Sequence, residues 1–313
     1  MSKIKNILQP ILSAIGYYSI KKKWRWHQYI TRLQKEDAIR KAEATAWIEA
    51  IDHRLLPDVK ETKNVTVSLT SHGKRVADFA PFAIYSIFQQ KVLPNRIVLN
   101  INQEKWNDDN LPELIKKLQI AGLEVNFCED VGPHTKLLPT LQKYPDDIII
   151  TVDDDVYYDH NMIEDLISDY KKTSNPCVIC KSALVVSTEN GEILPYTQWP
   201  MATKETPAEK LISPHGFCGV LYAPHIFSEE IFNKAVYQSL CKYADDIWFS
   251  VMEIREQIPV YLSSLPNHDV IYVNHYNEYV AQGSDALYFS NAGEGRNNTQ
   301  LQALVEHYGL KVD

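Results

Sequence analysis

Residues Ile148-Ile149-Ile150-Thr151-Val152 run straight into Asp153-Asp154-Asp155 and on into Val156-Tyr157-Tyr158. Five β-prone, mostly apolar residues in a row describe a strand buried on both faces, the kind found inside a parallel sheet. Ending such a strand in three carboxylates is electrostatically costly, because each like charge resists ionising beside the others. Either the triplet is a solvated acidic turn, or something neutralises it. A hard divalent cation such as Mg²⁺ or Mn²⁺, which takes oxygen ligands, would do so. The carboxyl ends of strands are also where α/β sheets bind ligands. The feature therefore points to an α/β sheet with a metal and phosphate site at a strand end.

The flanking sequence agrees with that fold class. Asn64 to Thr70 alternates β-branched residues and reads as a first strand. Ala80 to Gln90 is an amphipathic helix with Pro81 in its first turn, and Arg96 to Ile101 a second strand. Leu111 to Ala121 is a helix closed by Gly122, and Leu123 to Cys128 a third strand. The turn Gly132-Pro133-His134-Thr135-Lys136 opens a helix ending near Tyr144. Such alternation implies a largely parallel, doubly wound sheet flanked by helices. Downstream, helices are expected over Met162 to Lys172, Ser228 to Leu240, Asp245 to Gln257 and Thr299 to Tyr308. Strands are expected over Val178 to Ser187, from Gly216 to Tyr222 and over Val270 to Val273, with a turn at Asn190-Gly191. Residues 195–215 read as an irregular lid or binding loop, and 281–298 as a mobile Gly- and Asn-rich stretch.

Charge divides the chain. The net charge of -8 argues against a nucleic-acid binder, yet residues 1–35 hold eight Lys or Arg and no Asp or Glu. That segment is helical in pattern, with Trp24 and Trp26 around Arg25 after a lysine triplet. It reads either as a helix lying on an anionic membrane surface or as one packing on its own domain or a second subunit. The division is a helical extension over 1–60 and a catalytic domain over 61–313. Pro57 ends the helical part. Five cysteines, an odd number, suggest reduced thiols in a cytosolic compartment. Cys177 and Cys180 have CxxC spacing, but residues three apart on a strand point to opposite faces and could not share one metal. No stretch is apolar and long enough to span a bilayer. Ile7 to Ile20 lacks a convincing cleavage site, so export is not expected, and the expected place of action is the cytoplasm, with the inner membrane face as a peripheral location.

Four stretches together resemble the nucleotide-sugar-dependent glycosyltransferases of the GT-A fold, a Rossmann-like class, particularly bacterial enzymes that build surface polysaccharide. They are Val67-Ser68-Leu69-Thr70-Ser71, Gly132-Pro133-His134-Thr135-Lys136-Leu137, Val152-Asp153-Asp154-Asp155-Val156 and Tyr243-Ala244-Asp245-Asp246-Ile247-Trp248. The likeness covers roughly residues 64–275 and leaves out the N-terminal extension. It implies a Mn²⁺ or Mg²⁺ cofactor and a nucleotide-sugar donor, a UDP-sugar rather than a GDP-sugar, with a glycan or lipid-linked acceptor. It implies that Asp155 binds the metal and that Asp153 and Asp154 contact the ribose, the metal's water shell or the donor sugar, with Asp153 a second candidate ligand. Thr70 and Ser71 would lie beside base and ribose, and Lys136 near the same pocket. His275, and less so His268, stand where some members supply a histidine ligand.

The chemistry has its own logic. Glycosyl transfer leaves negative charge on a departing diphosphate, which a metal stabilises as a Lewis acid. The acceptor hydroxyl must lose a proton, and a positioned carboxylate can take it. Asp245 and Asp246 open a helix, where the macrodipole favours ionised carboxylates. The pair is the catalytic candidate: the resemblance favours its first member, Asp245, as the base, while the other could be an ordinary helix cap, and either assignment stays open. A base candidate without a separate nucleophile favours inversion over retention. Gly216 and Gly219 would let backbone approach the sugar or acceptor. Trp199 and His215 could line the acceptor site, although a loop tryptophan is also an ordinary core residue. A nucleotidyltransferase acting on sugar phosphates is the competing enzyme class. It would need a Gly-rich basic loop after the first strand, for which Ser71-His72-Gly73-Lys74-Arg75 is the candidate. A non-catalytic, membrane-associated polysaccharide assembly protein is the third reading.

Overall fold

The isoleucine run of residues 148–150 splits between two cores, and the sheet is built on that split. In the computed structural model, which describes residues 17–57, 64–267, 269–274 and 295–312, strands β1 (Val65–Thr70), β2 (Arg96–Asn102), β3 (Leu123–Cys128) and β4 (Ile148–Thr151) run parallel. The short β5 (Val156–Tyr157) follows the aspartates, then β6 (Val178–Cys180), β7 (Ala183–Val185), β8 (Thr188–Glu189), β9 (Glu192–Ile193), β10 (Ile212–Pro214), β11 (Val220–Tyr222), β12 (Val260–Leu262) and β13 (Ile271–Tyr272). The main sheet has seven strands in the order β12-β6-β11-β4-β1-β2-β3, and β11 alone among them is antiparallel to its neighbours.

Helices cover both faces. They are α1 (Tyr17–Glu49), α2 (Arg75–Asp78), α3 (Ala80–Phe88), α4 (Glu113–Ala121), α5 (Leu138–Lys143), α6 (Met162–Tyr170), α7 (Lys234–Leu240), α8 (Asp245–Arg255) and α9 (Arg296–Tyr308). Because successive strand side chains alternate faces, Val67, Leu69, Ile97, Leu99, Ile148 and Ile150 pack in one core, with α3, α4, α6 and Ile48 of α1. Ile149, Val178, Cys180, Val220 and Tyr222 enter the other, with Leu138 of α5, Trp248 and Phe249 of α8, and Leu301 of α9. The two CxxC sulfurs obey the same rule: Cys177 lies in the first core and Cys180 in the second, both as free thiols. The expected α/β class with its mostly parallel sheet is what the chain forms.

Details differ from the sequence expectation where local chemistry intervenes. The single helix expected over Ser228 to Leu240 is two pieces, a 3-10 turn (Glu229–Phe232) capped by Ser228 and α7 capped by Asn233. Two capping side chains in sequence favour that break over a continuous helix. The Asn190-Gly191 turn joins β8 to β9 with both residues at positive φ, as a two-residue hairpin loop requires. The late strand shrinks to β13, which pairs antiparallel with β5 and so holds the segment just past the aspartates. The region 195–215 is not a loose lid. It is tied down by a 3-10 turn (Tyr196–Gln198), by β10, and by Trp199, which is only 5% exposed and donates from Nε1 to the Leu194 carbonyl at 2.9 Å. Of the stretch expected to be mobile, residues 281–294 lie outside the described residues.

Helix α1 changes character along its length. Leu33, Ala44 and Ile48 are buried, and Trp47 packs edge-on against Tyr85 with ring centroids 5.3 Å apart. Toward its start Trp24 and Trp26 are 57% and 53% exposed. Among the described residues no helix is long and apolar enough to cross a membrane.

Truncating Ile150 to alanine, at a fully buried position of the strand that carries the aspartates, should cost roughly 2–5 kcal/mol in urea unfolding. Trp24→Ala, on the exposed face of α1, should stay within about 0.5 kcal/mol of the parent.

Candidate functional site

The strand order reverses at β1: β2 and β3 lie on one side of it and β4 on the other. Segments leaving the carboxyl ends of β1 and β4 diverge there, and the crevice between them is the usual ligand position in an open α/β sheet. Thr70 and Ser71 leave β1, and Asp153, Asp154 and Asp155 leave β4.

Two basic side chains from the protein itself sit among these acids. Arg75, in the short helix α2, is nearly buried and reaches Asp154 Oδ1 from Nη2 at 2.6 Å and Oδ2 from Nε at 3.1 Å. Its Nη2 also donates to Asp155 Oδ2 at 2.7 Å. Ser71 Oγ donates to Asp154 Oδ2 at 2.5 Å, and the guanidinium lies 4.8 Å from the centroid of the Phe79 ring. A forked guanidinium holding a carboxylate through two nitrogens fixes geometry as well as charge. The pairing shows that part of the neutralisation expected of a cation comes from the protein itself. Asp155, expected as a direct metal ligand, already shares its carboxylate with Arg75.

Lys136 is the second cation. Its Nζ stands 3.0 Å from Asp153 Oδ1, 2.8 Å from Asp245 Oδ2 and 3.7 Å from Asp246 Oδ1. It ends the 3-10 turn Gly132–Lys136, and a buried polar knot holds that turn in place. Ser68 Oγ of β1 donates to the Lys136 carbonyl at 2.6 Å and lies 2.6 Å from Thr140 Oγ1, while Asn100 Nδ2 donates to Ser68 Oγ and Thr140 Oγ1 at 3.1 and 2.9 Å. Satisfied networks of this kind rigidify what they surround.

Asp245 and Asp246 open α8, but neither caps it. The N-cap residue is Ala244, and no side chain there bonds a helix N–H. Asp246 therefore does not have the capping role expected for it. Its Oδ2 accepts from the Gly216 N–H at 3.1 Å, and its side chain remains 35% exposed, against 12% for Asp245. Gly216 matters for a reason the sequence did not suggest. A Cβ there would lie 2.5 Å from Lys136 Nζ and 2.7 Å from Asp246 Oδ1, so the backbone is making room for the ion pairs. Gly219, at φ +95°, faces Met162 and Leu166 and has a packing role.

Five carboxylates here face two cations, an excess of negative charge. Burial and the neighbouring Asp154 push the Asp155 carboxyl up to about 7 against the pull of Arg75. Burial likewise pushes Asp246 up to about 7; Lys136 opposes, and Asp245 and Asp153 add to the rise. Among the described residues no three His, Cys, Asp or Glu side chains converge as a ready-made metal cage. Magnesium-type sites in nucleotide enzymes commonly use one or two carboxylates and take their remaining ligands from substrate phosphates and water. Hard oxygen donors with surplus negative charge fit that arrangement.

The other expected residues divide clearly. Thr70 donates to the Asn100 carbonyl at 2.9 Å and stays partly exposed at the crevice. His215 stands next to Gly216, half-buried, with Nδ1 3.0 Å from Ser182 Oγ and its ring stacked on Phe217. Trp199 is a core residue and offers no face for a sugar, because its loop folds inward around it. His268 and His275 lie outside the described residues. Sequence reasoning missed Arg75 as a partner of the triplet, since nothing in a polar turn marks an arginine for acids some eighty residues on. It also missed Glu253, two turns along α8 from Asp246 and buried, whose carboxyl oxygens have no hydrogen-bond partner among the described residues. Burial and Asp246 push its carboxyl up to about 8.

No protein-family model and no curated protein matches the chain. Solved structures do. A cytidylyltransferase from Leptospira borgpetersenii is 13% identical, with 77% of this chain and 98% of that one covered and a TM-score of 0.40. A CMP-2-keto-3-deoxy-manno-octonic acid synthetase in complex with CTP is 11% identical over 64% of this chain and 89% of its own, with a TM-score of 0.39. A mannosyltransferase from Pyrobaculum calidifontis, in complex with GDP-Man and Mn²⁺, is 11% identical over 88% and 84%, also at 0.39. These values do not select between nucleotidyl and glycosyl transfer.

Gly216→Ala should push the Lys136 ammonium and the Asp246 carboxylate away from the new methyl group, lowering the unfolding midpoint while leaving a cooperative transition. The pH dependence of stability follows from the raised carboxyls. Asp155, Asp246 and Glu253 hold protons more tightly folded than unfolded, where they titrate near 3.8 and 4.5. The stability they supply is full below about pH 4 and is lost as pH rises through 7 to 8. In metal-free buffer the unfolding midpoint should thus be higher at pH 6 than at pH 8, and Glu253→Gln should flatten that difference.

Proposed function

We propose that this chain is a glycosyltransferase moving a sugar from a nucleoside-diphosphate donor, a UDP-sugar, to a hydroxyl of a surface glycan or its lipid-linked precursor. The observation that carries this reading is the placement of Lys136, whose ammonium joins Asp153 at the end of β4 to Asp245 and Asp246 at the start of α8. That link sets a part-exposed carboxylate beside the strand-end crevice. A nucleophile's proton can be taken there while a diphosphate departs.

In this mechanism the acceptor oxygen attacks C1 of the donor sugar, the new C1–O bond forms, and the bond from C1 to the diphosphate breaks with its electron pair going to the phosphate oxygen. Asp246 is the better base of the pair. Its side chain is the more exposed of the two, so an acceptor hydroxyl can reach it. Asp245, more deeply set at 2.8 Å from Lys136, acts as the counter-charge that fixes the lysine. A single displacement of this kind inverts the anomeric centre. Thr70 and Ser71 would flank the base and ribose, and His215 and Gly216 would border the acceptor. A divalent cation, held by Asp153 and Asp155 and completed by the donor phosphates, would supply positive charge for the leaving group. Asp154, locked by Arg75 and Ser71, keeps the turn in shape.

Nucleotidyl transfer is the weaker reading. It asks the loop after β1 to cradle a triphosphate, yet Arg75 in that loop is turned back onto Asp154 and Asp155. The basic start of α1, with its exposed tryptophans, suits attachment to an anionic leaflet and hence action at the inner membrane surface.

Incubating the protein with a panel of nucleotide sugars, with and without Mn²⁺, should release nucleoside diphosphate from one of them; transfer of a nucleotide to a sugar phosphate instead would reverse the assignment. Asp246→Asn should lower turnover by about 10² to 10⁴ with donor affinity nearly intact. If Asp245→Asn shows that loss while Asp246→Asn does not, the two acids exchange roles. On the membrane side, joint Trp24→Ala and Trp26→Ala substitution should reduce binding to phosphatidylserine vesicles, and added salt should weaken the remainder. Unchanged binding at all salt concentrations would remove the attachment.

A further inference from the structure

Tyr158 joins two parts of the crevice that the mechanism above treats separately. Its ring is buried in the first core, and its backbone N–H donates to Ser86 Oγ of α3 at 2.9 Å. Ser86 Oγ in turn donates to the Ala83 carbonyl at 2.6 Å. The phenol is thus a stiff arm rooted in the body of the protein, with its hydroxyl at the far end. That hydroxyl accepts from the Asp153 N–H at 2.7 Å and donates to the Phe217 carbonyl at 3.0 Å. A phenol has a proton to give and lone pairs to accept with, so both bonds are made at once. Burial, and after it the Asp153 charge, push the phenol well above its ordinary value. At neutral pH it therefore keeps the proton that binds Phe217.

Phe217 follows Gly216 in the 3-10 turn Gly216–Cys218. The turn does little to hold itself. The Cys218 N–H reaches the His215 carbonyl at 3.5 Å and the Gly219 N–H reaches the Gly216 carbonyl at 3.2 Å, both at the long end of the hydrogen-bond range. Its entry is tied by the His215 N–H to the Ser182 carbonyl at 2.9 Å. Its middle is tied by Tyr158 at the Phe217 carbonyl, and the Gly216 N–H there donates to Asp246 Oδ2 at 3.1 Å. Lys136 joins Asp246 back to Asp153. The links close a ring through Asp153, Tyr158, the Gly216-Phe217 peptide, Asp246 and Lys136. Each of the other non-covalent links involves an ionised side chain, whereas Tyr158 bonds a neutral N–H and a neutral carbonyl. Its hold is unchanged when a proton or a cation reaches the acids. An N–H bonded to a carboxylate favours the ionised form, so the place of the turn bears on how Asp246 accepts a proton.

We propose that Tyr158 is a positioning residue for Asp246: its hydroxyl holds the Gly216-Phe217 turn in place, and the turn holds the carboxylate that takes the acceptor's proton. The second half rests on the glycosyltransferase reading, and the first does not. Tyr158→Phe removes the hydroxyl oxygen and keeps the ring that fills the core. Amide hydrogen exchange, followed by NMR on the full chain, should show the Gly216 and Asp153 N–H groups exchanging about tenfold faster in that variant, with the β2 amides unchanged as a check on the fold. Turnover of the active nucleotide sugar should fall about tenfold while the donor KM stays within about threefold, as for a group that acts on the transition state rather than on binding. In an Asp246→Asn background the same substitution should cost less than about twofold, because the group it positions is already gone. Gly216 exchange as slow as in the parent would overturn the proposal whatever the kinetics. An equal loss of turnover in both backgrounds would overturn it too, since Tyr158 would then act through Asp153 or the fold at large. If the parent turns over no nucleotide sugar, the glycosyltransferase reading fails, and Gly216 exchange alone upholds or overturns the hold on the turn.

Discussion

Everything at the crevice depends on one ammonium group. Lys136 is buried where it can touch an acid from a strand end and two from a helix start, elements that meet only because the sheet brings them together. Such a cluster of one cation and three acids is a specificity device more than a source of stability. Desolvating the charges costs about what their attraction returns, whereas losing one partner leaves the others uncompensated. The knot of Ser68, Asn100 and Thr140 beneath it explains how the lysine is kept in register, since its own carbonyl is what Ser68 holds. In sequence this knot looks like three unremarked polar residues.

Arg75 and Lys136 partition the acids into two groups, and that partition gives the site a division of labour. Asp154 is held by three protein donor groups and is structural. Asp153 and Asp246 are the members with exposed surface, 30% and 35% of their side chains. The surplus of negative charge is a latent demand for a positive partner. It can be met by protons at mildly acidic pH or by a metal and its phosphate ligand at neutral pH. Were a metal bound as proposed, protons would compete with it for the same oxygens, and its affinity would fall at low pH.

The fold was legible because its signals are local. A triple isoleucine, turn glycines and prolines at helix starts mark strands and helices without reference to distant residues, and β1 to β4 lie where the pattern puts them. The site was legible only as its acids and one lysine. Asp153, Asp246 and Lys136 could be named from their neighbours, but Arg75 could not, because it reaches the triplet by an excursion of the chain that no spacing encodes. Trp199 went astray for a related reason: an aromatic in an irregular stretch looks available, and burial is decided by how the loop returns to the core. Gly216 was singled out for approach to a sugar, whereas what the structure places against it are the protein's own lysine and aspartate. Glu253 was passed over because a charged residue within a helix ordinarily faces water.

Strand β11 is the odd member of the main sheet, running against both its neighbours. An antiparallel strand begins where its parallel neighbours finish. The segment that feeds β11, His215 through Gly219, therefore arrives at the carboxyl ends of β4 and β6 by direction alone, with no crossover needed to carry it there. A parallel strand in the same slot would deliver those residues to the opposite edge of the sheet. Reversing one short strand thus works as an address. It sends a glycine-bearing turn to the one place where the backbone can lie against Lys136 and Asp246, and it leaves the loop before it free to vary in length without moving that delivery point.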